Sequence, residues 1–223
     1  MKSKHALIIF MKAPRPGTVK TRMQPQLTPE QSLKLYTAMV EDLANRFRNS
    51  KKYDLHIYFW PPDGEAEIRQ WLGDDLVYTQ QRGADLGEKM HLAFCDTFDS
   101  GYHKTVIIGS DLPSLNDDHI QAAFRKLDDH DAVFGPTDDG GYYLIALKKG
   151  QLELFENVEW STADVLSQSL KNAEDNHLKA GQLHQEADID TFAEVKQLWQ
   201  AINGSAGNHN LDKTAAALAE IFK

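Results

Sequence analysis

Residues 12 to 22, "KAPRPGTVKTR", carry Lys12, Arg15, Lys20 and Arg22 among two prolines and one glycine. Cations at this density suit a ligand with several anionic oxygens, a di- or triphosphate. Pro14 and Pro16 stiffen the path and lower the entropy lost on binding, while Gly17 lets the backbone come close to a ligand. A solvated basic loop is the competing use of the same residues. A Walker loop is excluded, because "GTVKT" lacks the second glycine directly before its lysine, and no G-x-G-x-x-G dinucleotide fingerprint is present.

Carboxylates supply the complementary chemistry. In "IIGSDLP" (107 to 113), Asp111 follows an apolar run and a sharp turn, a placement suited to holding Mg²⁺ or Mn²⁺ against a diphosphate. Asp111 could instead cap the next helix, although Asp117 stands better for that. In "EADIDTF" (186 to 192), Asp188 and Asp190 share a side if the segment is extended. Asp190 is then either a second metal ligand or the N-cap of a helix opening at Thr191. "GPTDDGGYYLIAL" (135 to 147) adds Asp138 and Asp139, with Gly140 and Gly141 allowing either close ligand approach or a hairpin turn. "QRGADLGEKM" (81 to 90) frames a helix start with Gly83 and Gly87, and Arg82 could reach a phosphate or base. Trp160 reads as aromatic core beside Ser161.

Other chemistries lack their residues. The nine histidines fall without H-x-x-x-H spacing, and no G-x-S-x-G elbow occurs. Cys95 is the single cysteine, which excludes an internal disulfide and a cysteine zinc site and reads as core.

The elements that must position these groups follow from hydrophobic period. "HALIIFM" (5 to 11) is a buried strand running into the basic loop. Thr28, Pro29 and Gln31 form a capping-box start for an amphipathic helix to about Asn49. "YDLHIYFW", "LVYTQ", "KTVIIGSD", "DAVFGP" and "YYLIAL" are further strands, and "EAEIRQWL", 86 to 98 and 117 to 127 are helices. A helix from about Thr162 to Ala173, a strand near "GQLHQEADI" and a helix from Thr191 to Ile202 complete the pattern. Alternation of this kind gives an α/β fold, a Rossmann-like, mainly parallel sheet with helices on both faces. Ligands in such sheets sit beyond the carboxyl ends of the strands, where the loops singled out above must lie. Residues 1 to 202 read as one α/β domain, and 203 to 223 as a polar linker and a helix that packs back or joins a second copy.

With 223 residues the chain can bury one sizeable core. Its 33 acidic against 24 basic residues, a formal net charge of -9, argue against nucleic-acid or anionic-membrane partners. No apolar run reaches the roughly 20 residues a spanning helix needs, so a cytoplasmic protein is expected.

The ordered set "FMKAPRPGTVKTRM", "GADLGEKM", "GSDLPSL", "GPTDDGGYYLIAL", "EWST" and "DIDT" resembles a bacterial family of GT-A-fold nucleotide-diphosphosugar-transferase-like proteins, of the radical-SAM or arsenosugar-associated glycosyltransferase type. It is also similar to 2-phospholactate guanylyltransferases and molybdenum-cofactor nucleotidyltransferases. The resemblance covers about residues 5 to 202 and implies that the domain over 1 to 202 is a nucleotide-binding transferase domain. It implies a nucleotide polyphosphate or nucleotide-diphosphosugar bound with one divalent cation, and a small-molecule acceptor. Lys12, Lys20 and Arg22 become phosphate contacts, Asp111 and Asp190 metal ligands, Gly83 and Gly87 neighbours of base or ribose, and Asp139, Gly140 and Gly141 neighbours of the acceptor. Arg15 and Gly17 join the phosphate loop, and Lys20 and Asp139 are the catalytic candidates. The chain departs from the usual patterns in having only Gly17 where nucleotidyltransferases carry a glycine-rich stretch, and "GSD" where glycosyltransferases carry D-x-D. Glycosyl transfer is the expectation, nucleotidyl transfer the alternative, and a non-catalytic nucleotide-binding module the third.

Overall fold

The computed structural model describes residues 3 to 204 and 211 to 223. Its first strand, β1 (His5–Lys12), is hydrogen-bonded in parallel on both sides, to β2 (Asp54–Trp60) and to β4 (Lys104–Ile108). Ala6, Leu7, Ile8 and Ile9 point alternately to the two faces and are all wholly buried, so both faces of the strand are covered. That burial explains why the strand reads as an unbroken apolar run without alternation. With β3 (Val77–Gln80), β5 (Ala132–Pro136), β6 (Tyr142–Leu147) and β7 (Ala180–Gln182), the sheet has the order β3-β2-β1-β4-β6-β5-β7. One strand departs from the parallel arrangement: β6 runs antiparallel to β4 and β5, between which it lies. The strand expected over 181 to 189 is much shorter. After β7, Leu183 N–H donates to Phe134 O at 2.8 Å and Glu186 pairs with Thr137 in an isolated bridge, and residues 187 to 190 continue as a loop.

Helices α1 (Pro29–Phe47), α2 (Glu65–Leu72), α3 (Leu86–Asp99), α4 (Asp117–Lys126) and α5 (Val165–Asp175) cover the faces. The Thr28 and Gln31 capping box opens α1 as its sequence requires. At α4 the cap is Asn116 rather than Asp117, whose carboxylate is taken by Tyr53 Oη at 3.0 Å and by Lys52.

A third cluster of buried side chains lies outside the sheet, where α1 meets α6 (Phe192–Gly204) and α7 (Asp212–Ile221) through Leu35, Met39, Val195, Ala217 and Leu218. The first turn of α7 has no side-chain cap of its own. Instead, the buried Asp42 of α1 accepts from the backbone N–H of Lys213 at 3.1 Å and of Thr214 at 2.8 Å, and from the Thr214 hydroxyl at 2.7 Å. Negative charge at a helix N-terminus is favourable, so α7 is held back on its own chain. The polar linker read at 203 to 210 falls largely on residues 205 to 210, outside the described residues. Among the described residues no helix is long and apolar enough to cross a membrane.

Candidate functional site

Strands β1 and β4 are neighbours, but the chain leaves them toward opposite halves of the sheet, so the loops at their carboxyl ends diverge and leave a crevice. A cavity of about 560 Å³ opens there, between the end of β1, the basic loop, residues 109 to 111 and the start of α3. A second cavity of about 140 Å³ adjoins it, lined by Thr137, Asp139, Gly141, Tyr143 and Asp188. Gly109, Asp111 and Tyr142 line both, so Asp111 stands on the wall between them.

The basic loop sends its four cations to different places. Lys20 sits in the left-handed region at φ 49°, ψ 40°, a conformation that costs a non-glycine residue on the order of 1–2 kcal/mol. The turn drives its side chain inward until it is only 2% exposed. There the ammonium lies 2.6 Å from Asp111 Oδ1 and 3.7 Å from Asp190 Oδ1, and donates to the Ile189 carbonyl. Ile189 N–H in turn donates to the Asp111 carbonyl at 2.8 Å. Three segments far apart in sequence are thus tied around one positive charge.

Arg22 is exposed and pairs through Nη1 with Asp190 Oδ2 at 2.6 Å. Asp190 therefore faces the basic loop and does not cap α6. The N–H groups of Asp190 and Thr191 donate instead to Glu194, each at 2.6 Å. Lys12 lines the large cavity, and its side chain makes no ion pair among the described residues. Its backbone is fixed by the buried Tyr36 hydroxyl, which accepts from Lys12 N–H at 2.8 Å and donates to Lys12 O at 2.9 Å.

Arg15 corrects the expectation of four converging cations. Its Nε donates to Glu67 at 2.7 Å and Nη1 to Asp63 at 3.2 Å, so it turns outward toward α2 and lines neither cavity.

Close packing surrounds three of the glycines. A Cβ on Gly83 would lie 2.8 Å from Lys89 N, one on Gly87 2.6 Å from the Trp160 ring, and one on Gly140, at φ +87°, 2.0 Å from the Ala163 carbonyl oxygen. None of the three lines a cavity, nor does Gly17, which turns the loop at φ +75° in open space. Gly141 does line the small one. Arg82 is taken by Asp96 at 2.6 Å. Cys95 is half-buried rather than core, with Sγ 3.5 Å from His91 Nε2.

In the small cavity Asp139 Oδ1 accepts from the Thr137 hydroxyl at 2.6 Å and from Gly141 N–H at 3.1 Å. Asp138 turns away to Gln185 at 2.5 Å. Asp188 is half-buried and its carboxyl is pushed up to about 6, first by burial and then by Asp139, Asp111 and Asp190.

Several lining residues had no sequence argument. Lys89 places its ammonium 4.0 Å from the Trp60 ring centre at the rim of the large cavity. Gln81 is buried there, donating to Tyr58 O at 2.9 Å, and Ser161 joins with φ 68°. Trp60 ends β2 at the same sheet edge as Lys12, so the strand-end rule could have found it. Lys89 lies inside the quoted "GADLGEKM", one turn into α3.

A protein-family profile described as an uncharacterized protein conserved in bacteria (DUF2064) matches residues 43 to 162. The chain belongs to this family. This DUF2064 chain is also 31% identical to a crystal structure described as a candidate nucleotide-diphospho-sugar transferase from Desulfovibrio desulfuricans G20, with 98% of each chain covered and a TM-score of 0.88. A CMP:2-keto-3-deoxy-manno-octonic acid synthetase complexed with CTP shares the fold at 10% identity, with 91% of this chain and 99% of that one covered and a TM-score of 0.57. Rv0371c from Mycobacterium tuberculosis H37Rv, complexed with manganese, does so at 11% identity, with 89% and 98% covered and a TM-score of 0.51. A search of curated proteins found no match. The DUF2064 chain thus has the α/β fold of nucleotide-diphosphosugar transferases and is a transferase-like enzyme.

Proposed function

We propose that this protein is a metal-dependent glycosyltransferase that moves a sugar from a nucleotide diphosphosugar to a small acceptor. The observation that carries the reading is the pair of joined cavities at the strand switch point: Lys12, Lys20, Arg22 and Lys89 line one together with Asp190, Asp139 and Asp188 line the other without a cation, and Asp111 stands between them. Lys12 and Arg22, with Lys89 from α3, supply positive charge for a diphosphate in the large cavity. Lys20 acts through the carboxylates it holds in place. The description of the Desulfovibrio relative supports a nucleotide-diphosphosugar donor. On this reading residues 1 to 202 are the transferase unit and 203 to 223 a linker with an appended helix.

The residues present fit a divalent metal. Asp111 and Asp190 already converge on one positive charge, the Lys20 ammonium, and their field helps to hold the Asp188 carboxyl up. Carboxylate oxygens suit Mg²⁺ or Mn²⁺. Among the described residues no three acidic, histidine or cysteine side chains are grouped to hold an ion alone, so Asp111 and Asp190 would share it with water and substrate phosphate. The manganese complex of Rv0371c supports this choice of ion. When bound, the ion offsets the charge that develops on the departing nucleoside diphosphate. Asp139 Oδ2, free of the two bonds that fix Oδ1, accepts the proton of the acceptor hydroxyl.

The test is a thermal-shift screen of nucleoside triphosphates and nucleotide diphosphosugars with Mg²⁺ and Mn²⁺. A ligand at about 100 times its Kd adds about 2.7 kcal/mol, roughly 5–11 °C for a chain of this size. Stabilisation by a nucleotide diphosphosugar that requires the metal is expected, and no shift with any of them would overturn the reading. Nucleotidyl transfer is the second reading, favoured by the cationic large cavity and by the CTP complex of the synthetase of the same fold. Release of pyrophosphate from a triphosphate would select it.

A further inference from the structure

The small cavity differs from its neighbour in what it can neutralise. No Lys, Arg or His is among its lining residues, whereas Asp111, Asp139 and Asp188 all are. Asp139 Oδ1 is occupied by the Thr137 hydroxyl and Gly141 N–H, and Oδ2 accepts no bond among the described residues. Asp188 makes no hydrogen bond or ion pair among them. At about 140 Å³ the space equals the liquid-volume share of roughly five waters at about 30 Å³ each, enough for a small polyol and not for a second nucleotide. Unlike the large cavity, where Lys12 and Arg22 face an incoming phosphate, this one would set a phosphate dianion beside like charge.

Resting on the glycosyltransferase reading, we propose that the acceptor bound in this cavity is a small hydroxyl compound without a phosphate group, neutral or ammonium-bearing. Its hydroxyl oxygen attacks the sugar carbon that carries the nucleotide. The new carbon–oxygen bond forms as the bond to the diphosphate oxygen breaks, the electron pair leaves with the nucleoside diphosphate, and the hydroxyl proton passes to Asp139 Oδ2. Under this arrangement donor and acceptor never compete for one cavity, since the donor needs cations and the acceptor does not.

The experiment uses the full chain with Mg²⁺ and whichever of UDP, GDP, CDP or ADP stabilises it most, so that the large cavity is filled. Saturation-transfer NMR titrations then compare glycerol with glycerol 3-phosphate and ethanolamine with phosphoethanolamine. In each pair the unphosphorylated member should bind at least about tenfold more tightly, the effect of like-charge juxtaposition. Asp188→Asn should shrink that ratio several-fold, and Asp139→Asn should shrink it as well should the first variant fold poorly. Equal or tighter binding of the phosphorylated members, or no binding by either, would overturn this proposal while leaving the nucleotide reading intact. Failure of every diphosphate to stabilise the protein would overturn the parent reading, and this one with it.

Discussion

The two cavities meet at one carboxylate, yet the cations of one and the further carboxylates of the other come from different halves of the chain. The large one takes its cations from the loop after β1 and from α3, before residue 90; the small one takes its carboxylates from the turn after β5 and the loop before α6, beyond residue 136. The chain's net charge of -9 conceals this sorting. What the contrast teaches is that a site can be cationic or acidic over a few ångströms without leaving the edge of one sheet. The boundary is Asp111, held by Lys20 from one side and open to the small cavity on the other.

Breaking the boundary should have the largest effect. Asp111→Asn removes the carboxylate common to both cavities and leaves the Lys20 ammonium without its nearest partner. Calorimetric titration should show metal-dependent nucleotide binding largely abolished, a loss of several kcal/mol. Unchanged affinity and metal dependence would remove Asp111 from the site. Asp139→Asn acts on the small cavity alone: turnover should fall about 10²-fold or more, with nucleotide affinity within about twofold. A parallel fall in nucleotide affinity would mean that the cavities are not separable.

Changes confined to the large cavity come next. Lys20→Met should lower stability in urea by about 2–3 kcal/mol, since removing one partner of a buried pair strands the other and the two aspartates here are only partly buried. Lys12→Ala leaves the fold alone, because only its backbone is engaged by Tyr36, and should weaken nucleoside diphosphate binding about tenfold, or about 1.4 kcal/mol. Nucleoside affinity, measured alongside, should stay the same.

Much of this arrangement was legible from the sequence, and what was not has a common cause. Period and capping chemistry are local, so β1, α1 with its Thr28 and Gln31 box, and β6 lie where the residues place them. The convergence of the basic loop with Asp111 follows from the rule for strand ends, whereas the residues around Asp190 leave a metal ligand and an N-cap equally open and only the family resemblance favours the first. Pairing is not local: nothing within "YYLIAL" states that β6 runs antiparallel to β4, and nothing within "GQLHQEADI" states that its second half serves the site as a loop. The glycines show the same limit. Gly87 and Gly140 look identical to ligand-approach glycines until Trp160 and Ala163 are seen lying against them. Lys89 escaped for the reverse reason, since a lysine on a helix is ordinarily solvated and only the position of Trp60 brings it to the rim.

Arg15 carries the smallest expected effect and the sharpest test of the comparison. It has the charge, the loop and the proline neighbours of a phosphate ligand, and unlike Lys12 it has carboxylates standing opposite: Asp63 and Glu67, about fifty residues along the chain. Those pairs are partly exposed, and such surface ion pairs contribute about 0–1 kcal/mol. Arg15→Ala should therefore move stability by no more than about that amount and leave diphosphate affinity within about twofold of the parent, whereas Lys12→Ala moves it about tenfold. If both substitutions weaken diphosphate binding equally, the outward turn of Arg15 is undone when nucleotide binds, and the basic loop acts as one cationic unit rather than as side chains with separate fates.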